Sequence, residues 1–156
     1  MTLEEAKQWL RERVNEGTHC PCCGQFAKVY RRRINSGMAL SLITMYRRNR
    51  HEWIYIPGDI PAKSREEGKL AYWKLVEESD EPREDGGRAG WWRVTGKGAS
   101  FIYQHIKVPK YALVYDATLL GLDDREMVDI QNCLGAHFDL AELMGWRNEP
   151  SDPYHA

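Results

Sequence analysis

Three of the four cysteines in this chain fall between positions 20 and 23, as Cys20, Cys22 and Cys23, and Cys133 stands alone. The run Cys20-Pro21-Cys22-Cys23-Gly24 has the form Cys-Pro-x-Cys-Gly. Two thiolates spaced three apart across a turn converge on one metal ion, and a glycine after them lets the backbone fold beneath. Structural zinc takes four ligands in a tetrahedron, so this run supplies half a site. No second Cys-x-x-Cys follows, so the other ligands must come singly. Cys133 and His137, four apart and able to share one face of a helical turn, are the expected third and fourth ligands. His19, Cys22 and His51 are the alternatives, and a small buried hydrophobe is the simpler account of Cys133. Zn2+ held by Cys20, Cys23, Cys133 and His137 would be structural, since a closed sulfur-rich site leaves no position for substrate. The layout suits neither a disulfide framework nor a thioredoxin-like redox pair, which needs a strand before the motif and a long helix after it.

The second group with chemical potential is cationic. The net charge of −1 conceals a lopsided chain: residues 28–65 hold nine Lys/Arg against two acids, and residues 116–152 hold two against nine. Arg47, Arg48 and Arg50 stand near a helix C-terminus, where cations offset the helix dipole, and phosphate contact is the competing use. Arg31, Arg32 and Arg33 are consecutive, and three arginines in one strand or loop cannot all serve one local purpose, which points to phosphate or an acidic partner. The acidic C-terminal third would repel a polyanion and so limit which face approaches it.

These groups need elements to position them. Thr2 and Glu5 have the spacing of a capping box, and Leu3, Ala6, Leu10 and Val14 form the stripe of a first helix that ends by Gly17 and is expected to pack on the rest of the chain. A strand is expected over Ala27–Arg31 and a helix over Ser36–Arg48, with Met38, Leu42, Met45 and Tyr46 inward. Trp53–Ile56 reads as a short strand stopped by Pro57 and Gly58, and Asp59–Ser79 as helix, with Pro61 in a first turn, a capping box of Ser64 with Glu67, and a division at Gly68. Asp85, Gly86 and Gly87 mark a turn. Gly90–Thr95 alternates as a strand with Trp92 and Val94 on one face and Trp91 and Arg93 on the other. A helix carrying Phe101, Ile102 and Ile106 follows. Tyr111–Tyr115 and Thr118–Leu122 read as a hairpin about Asp116 and Ala117, Met127–Ile130 as a third strand, and Asp139–Met144 as a short helix capped by Asp139 with Glu142.

From Ser36 to Ile106 the order is helix, strand, helix, turn, helix, hairpin, helix. With the run Trp91 to Phe101, in which Trp92, Thr95, Lys97, Gly98 and Phe101 follow a familiar pattern, it resembles the winged-helix DNA-binding superfamily over about 70 residues. The resemblance implies an α+β fold with a winged helix-turn-helix core at 35–106, preceded at 1–34 by a helix and a cysteine run similar to zinc-ribbon knuckles. A small α/β extension follows at 107–150 and a loose tail at 151–156. It further implies that Lys69–Ser79 is the recognition helix in a major groove, with Lys69, Tyr72 and Lys74 reaching bases or phosphates, Lys63 and Arg65 anchoring the preceding turn, and Arg88 at the wing tip. Glu77, Glu78, Asp80 and Glu81, and Glu84 and Asp85 beside Arg88, oppose phosphate there. The whole arrangement also resembles small bacterial and phage or prophage proteins.

No Walker loop, Gly-x-Ser-x-Gly elbow, His-Glu-x-x-His or dinucleotide fingerprint occurs, so no enzyme is expected. No apolar run approaches the roughly 20 residues of a bilayer span, and residues 1–16 read as an amphipathic helix and not a signal peptide. The expectation is a cytoplasmic, non-enzymatic protein that binds double-stranded DNA as a transcriptional regulator. The alternative is a protein-interaction module on the same scaffold, with Trp91 or Tyr72 as its contact patch.

Overall fold

The computed structural model describes residues 1–55, 67–81 and 90–146. They form a mixed α+β structure of helices and three small antiparallel sheets, with no barrel among the described residues. Helix α1 (Leu3–Arg13) opens on the expected capping box, Thr2 accepting from the Glu5 amide and Glu5 from the Thr2 amide. Its stripe packs weakly, because only Ala6 is buried and Leu3 is 63% exposed. A two-strand ribbon follows, β1 (Thr18–His19) with β2 (Phe26–Ala27), and then β3 (Tyr30–Arg33). The single strand expected at Ala27–Arg31 is thus two strands belonging to two sheets.

Helix α2 (Ser36–Asn49) is the spine of the core. Asn35 caps it by accepting from the Met38 amide at 2.9 Å, and Met38, Leu42, Met45 and Tyr46 are all buried, as the period requires. After β4 (Ile54–Tyr55) the described chain resumes in a 3-10 helix, Glu67–Trp73. Strands β5 (Val76–Glu78) and β6 (Trp91–Val94) come next. The recognition helix expected over Lys69–Ser79 is therefore not continuous: it is a tight turn that ends at Lys74 (φ 59°), then a strand. The physical reason lies in its apolar residues. Leu70 and Trp73 are three apart, which eclipses them in a 3-10 helix, and β-branched Val76 pairs with Val94 across a sheet, so no one-sided α-helical stripe exists.

Strands β4, β6 and β5 lie in that order, with β6 central. Ile54, Val76 and Val94 are buried on the inner face; Tyr55, Glu77, Trp91 and Arg93 share the outer face. Helix α3 (Gly96–Ile102) follows at once, capped by Thr95, and ends before Ile106, which was expected inside it. Strands β7 (Val108–Tyr115) and β8 (Thr118–Val128) form the expected hairpin, with Asp116 and Ala117 both at positive φ in its two-residue turn. Strand β8 runs on to Val128, so no separate third strand begins at Met127. Ile130 instead starts α4 (Ile130–Leu134), because Asp129 and Asn132 form a capping box there. Asp139 caps α5 (Leu140–Leu143) through the Ala141 amide. The third sheet has the order β3-β7-β8, with β3 at one edge.

One hydrophobic cluster extends from Ile34 to Met144 and draws on α2, the 3-10 helix, β6, α3, β7, β8, α4 and α5. Trp73 is fully buried within it and its indole N–H donates to the Pro109 carbonyl at 2.7 Å, tying the 3-10 helix to β7.

Candidate nucleic-acid interface and cysteine knuckle

The arginines of β3 divide by strand alternation. Arg31 and Arg33 lie opposite Leu113 and Tyr111, while Tyr30 and Arg32 lie opposite Val114 and Ala112. Arg31 is engaged within the fold. Its Nη2 is 3.3 Å from Asp123 Oδ2 and its guanidinium lies 4.0 Å from the Tyr111 ring centre. The Asp123 side chain is only 7% exposed and takes a second arginine, Arg125, whose Nε donates to Oδ1 at 2.8 Å. The Arg125 hydrogen bonds, and then the charges of Arg125 and Arg31, hold the Asp123 carboxyl well below the ordinary carboxylate range. Arg32 and Arg33 have no carboxylate partner among the described residues, and both are exposed. Arg32 and Lys28 lie over the Tyr30 ring at 5.2 and 5.4 Å, a cation–aromatic group that three-arginine counting did not reveal because its members come together only through strand geometry.

The α2 terminus behaves similarly. Arg47 Nη1 donates to the Leu143 carbonyl at 2.7 Å and so closes the end of α5. Arg50 is the C-cap of α2 and its guanidinium lies 4.9 Å from the Tyr46 ring. Arg48 is exposed beside them. On the 3-10 helix Lys69 and Tyr72 are half-buried and Lys74 is exposed. Lys63, Arg65 and Arg88 lie outside the described residues. The acids expected to end a recognition helix sit instead on and after β5, where Glu77 pairs with Arg93.

Aromatic residues that the sequence did not mark as a group gather on the outer face of the β4-β6-β5 sheet. Tyr55 and Trp91 are 5.2 Å apart, Arg93 lies 4.4 Å over Trp53, and Trp91 is 43% exposed. The alternation of β6 gave Trp91 and Arg93 the same face; bringing Tyr55 opposite Trp91 needed the register.

The cysteine run forms a turn between β1 and β2. The Cys20 amide donates to the Gln25 carbonyl and the Gly24 amide to the Cys20 carbonyl, both at 2.8 Å, with Gly24 at φ 75°. Hydrogen bonding from the Cys23 backbone first, and then from Cys22, holds the Cys20 thiol below its ordinary value, which favours the thiolate a metal requires. Cys133 is elsewhere, buried in α4, where burial first and Asp129 second push its thiol up to about 12. His137 is exposed in the loop after α4. The structure does not bring Cys133 and His137 to Cys20 and Cys23, and no group of three His, Cys, Asp or Glu that could hold a metal occurs among the described residues. Of the alternatives, His51 Nδ1 bonds the Val94 carbonyl at 2.7 Å, and His19 packs edge-on to Phe26.

No helix among the described residues is long and apolar enough to cross a membrane. No protein-family model, curated protein or solved structure matches the chain.

Proposed function

We propose that this chain is a non-enzymatic DNA-binding protein on a winged-helix plan, acting as a regulator of bacterial or phage type in the cytoplasm, with zinc at the Cys20–Cys23 knuckle. The observation that carries the reading is the order β4-β6-β5, entered from α2 and left through α3. A winged helix has that plan, with β5 and β6 as the arms of the wing and β4 added outside β6. The 3-10 helix occupies the place of the recognition element. It is seven residues long and, at roughly 2 Å per residue, offers less length to a groove than an α-helix of three turns would need. Affinity on this reading comes mainly from phosphate contacts by Arg32, Arg33, Lys69 and Lys74, with Tyr72 between the two lysines.

A salt titration of duplex binding tests it. Log affinity is expected to fall linearly with log salt, with a slope of about −0.9 for each phosphate neutralised, and replacement of Lys69 and Lys74 by Ala is expected to shallow that slope. Absence of duplex binding at low salt would overturn the reading.

The outer face with Tyr55, Trp91 and Arg93 favours a second reading, a protein-interaction module, because a large aromatic left 43% exposed on a sheet face is a contact residue in waiting. If Trp91→Ala abolishes the cellular effect while duplex affinity is unchanged, this second reading replaces the first.

A further inference from the structure

The knuckle offers two cysteines three apart on one tight turn, and no group of three ligands forms with them among the described residues. Cys22 lies between Cys20 and Cys23 and joins no three-ligand group with them, His19 is turned across the ribbon to Phe26, and Cys133 is committed to the core. The stretches outside the described residues contain no cysteine and a single histidine, His155. Among the described residues, one copy of the chain assembles no sulfur-rich tetrahedral site.

The surroundings of the turn are open. Every residue from Pro21 to Phe26 is exposed, Cys22 and Cys23 among them. Phe26 stands next to it on β2, an apolar ring 52% exposed. Lys28 follows on the same segment, its side chain and the Phe26 ring both lying against Gly17.

Resting on the zinc reading above, we propose that Zn2+ bridges two copies of this chain, bound by Cys20 and Cys23 of each. Four thiolates around one Zn2+ give the usual closed tetrahedron and a net charge of −2. A two-fold axis through the metal makes the contact isologous, so each copy gives and receives the same surface. The same axis brings the exposed Phe26 ring of each copy to the interface. Ligand exchange is simple: each thiol gives up its proton to solvent as its sulfur binds, and no oxidant takes part. Because the ribbon is only two residues on each strand, its own burial is too small to hold a dimer, and association depends on the metal. A two-fold dimer would also present two wings to DNA, the geometry that reads paired half-sites about one helical turn apart.

The test uses the full chain, kept reduced, with Zn2+ alone as the probe. Metal content and solution mass are measured before and after EDTA, for the native sequence and for Cys20→Ser/Cys23→Ser, Cys22→Ser and Cys133→Ser. The expected result is one Zn2+ per two chains and twice the 18.1 kDa chain mass. EDTA should halve that mass and returning Zn2+ restore it. Cys22→Ser and Cys133→Ser should keep the dimer, and the double variant should lose it. Cobalt in place of zinc should give the absorption of a tetrahedral four-thiolate site, a readout that does not depend on how the double variant folds. One Zn2+ per monomeric chain would overturn the bridge and leave the zinc reading standing. No bound zinc would overturn both, and a dimer that survives EDTA would overturn the bridge.

Discussion

Gly98 approaches the Leu75 backbone so closely that a Cβ at Gly98 would stand 2.2 Å from the Leu75 carbonyl oxygen and 2.8 Å from Val94 Cγ1. Thr95 fixes the approach. Its hydroxyl donates to the Lys74 carbonyl at 2.7 Å and accepts from the Gly98 amide at 3.0 Å, while its own amide donates to the Leu75 carbonyl. One threonine thus caps α3 and holds that helix against the end of the 3-10 segment. Gly98→Ala should cost about 1–3 kcal/mol through overpacking against backbone that cannot move aside. Gly96→Ala, where a Cβ meets nothing within 4 Å, should leave the chemical-denaturation midpoint within the range of a surface change. Equal midpoints for the two variants would contradict the account.

Asp123 predicts a pH dependence. Its carboxyl is held below the ordinary range by Arg125 and Arg31, so the stability from this pairing is present above the unfolded-state pKa of about 4 and is lost as pH falls through the lower folded-state value. Asp123→Asn should lower the thermal midpoint at neutral pH and flatten its decline on the acid side. Parallel acid limbs for the two proteins would show that Asp123 does not carry the effect.

Trp73→Phe should destabilise by about 1–3 kcal/mol, because the buried indole N–H and its part-buried bond to the Pro109 carbonyl are lost. Urea unfolding followed by circular dichroism measures this, and an unchanged midpoint would mean that the bond contributes nothing net.

Arg31 should separate from its neighbours. Arg31→Ala removes a partner of a buried carboxylate and a ring contact, so it should lower the melting temperature. Arg32→Ala/Arg33→Ala should leave it within about 0.5 kcal/mol of native stability and weaken duplex binding across sequences alike. The two measurements together distinguish packing from phosphate contact.

Much of the architecture was legible from period and capping. Thr2 with Glu5, Asn35 before the stripe of α2, the Asp116–Ala117 turn and Asp139 before α5 were all readable, since each depends on residues within a few positions of one another. The 3-10 helix was not legible because Leu70 and Trp73 are three apart, a spacing an α-helix also uses, while Leu75 and Val76 belong to the turn and strand that follow. The start of α4 was missed because Asp129 and Asn132 cap a helix of only five residues. Among the site residues, the arginines were found by composition, but their employment was not. Tyr111 and Asp123 are about 80 to 90 positions from Arg31, and it takes pairing of β3 with β7 and of β7 with β8 to bring the three together.

Strand β3 has a second consequence. Its outer edge presents backbone N–H and C=O groups that a strand from another molecule would find complementary. Tyr30, Arg31, Arg32 and Arg33 are all exposed along it, and a second copy arriving at that edge would bring its own guanidiniums against them. The positive charge along β3 therefore opposes cross-β association of two copies at this edge, and variants that neutralise it should show the loss as light scattering on concentration.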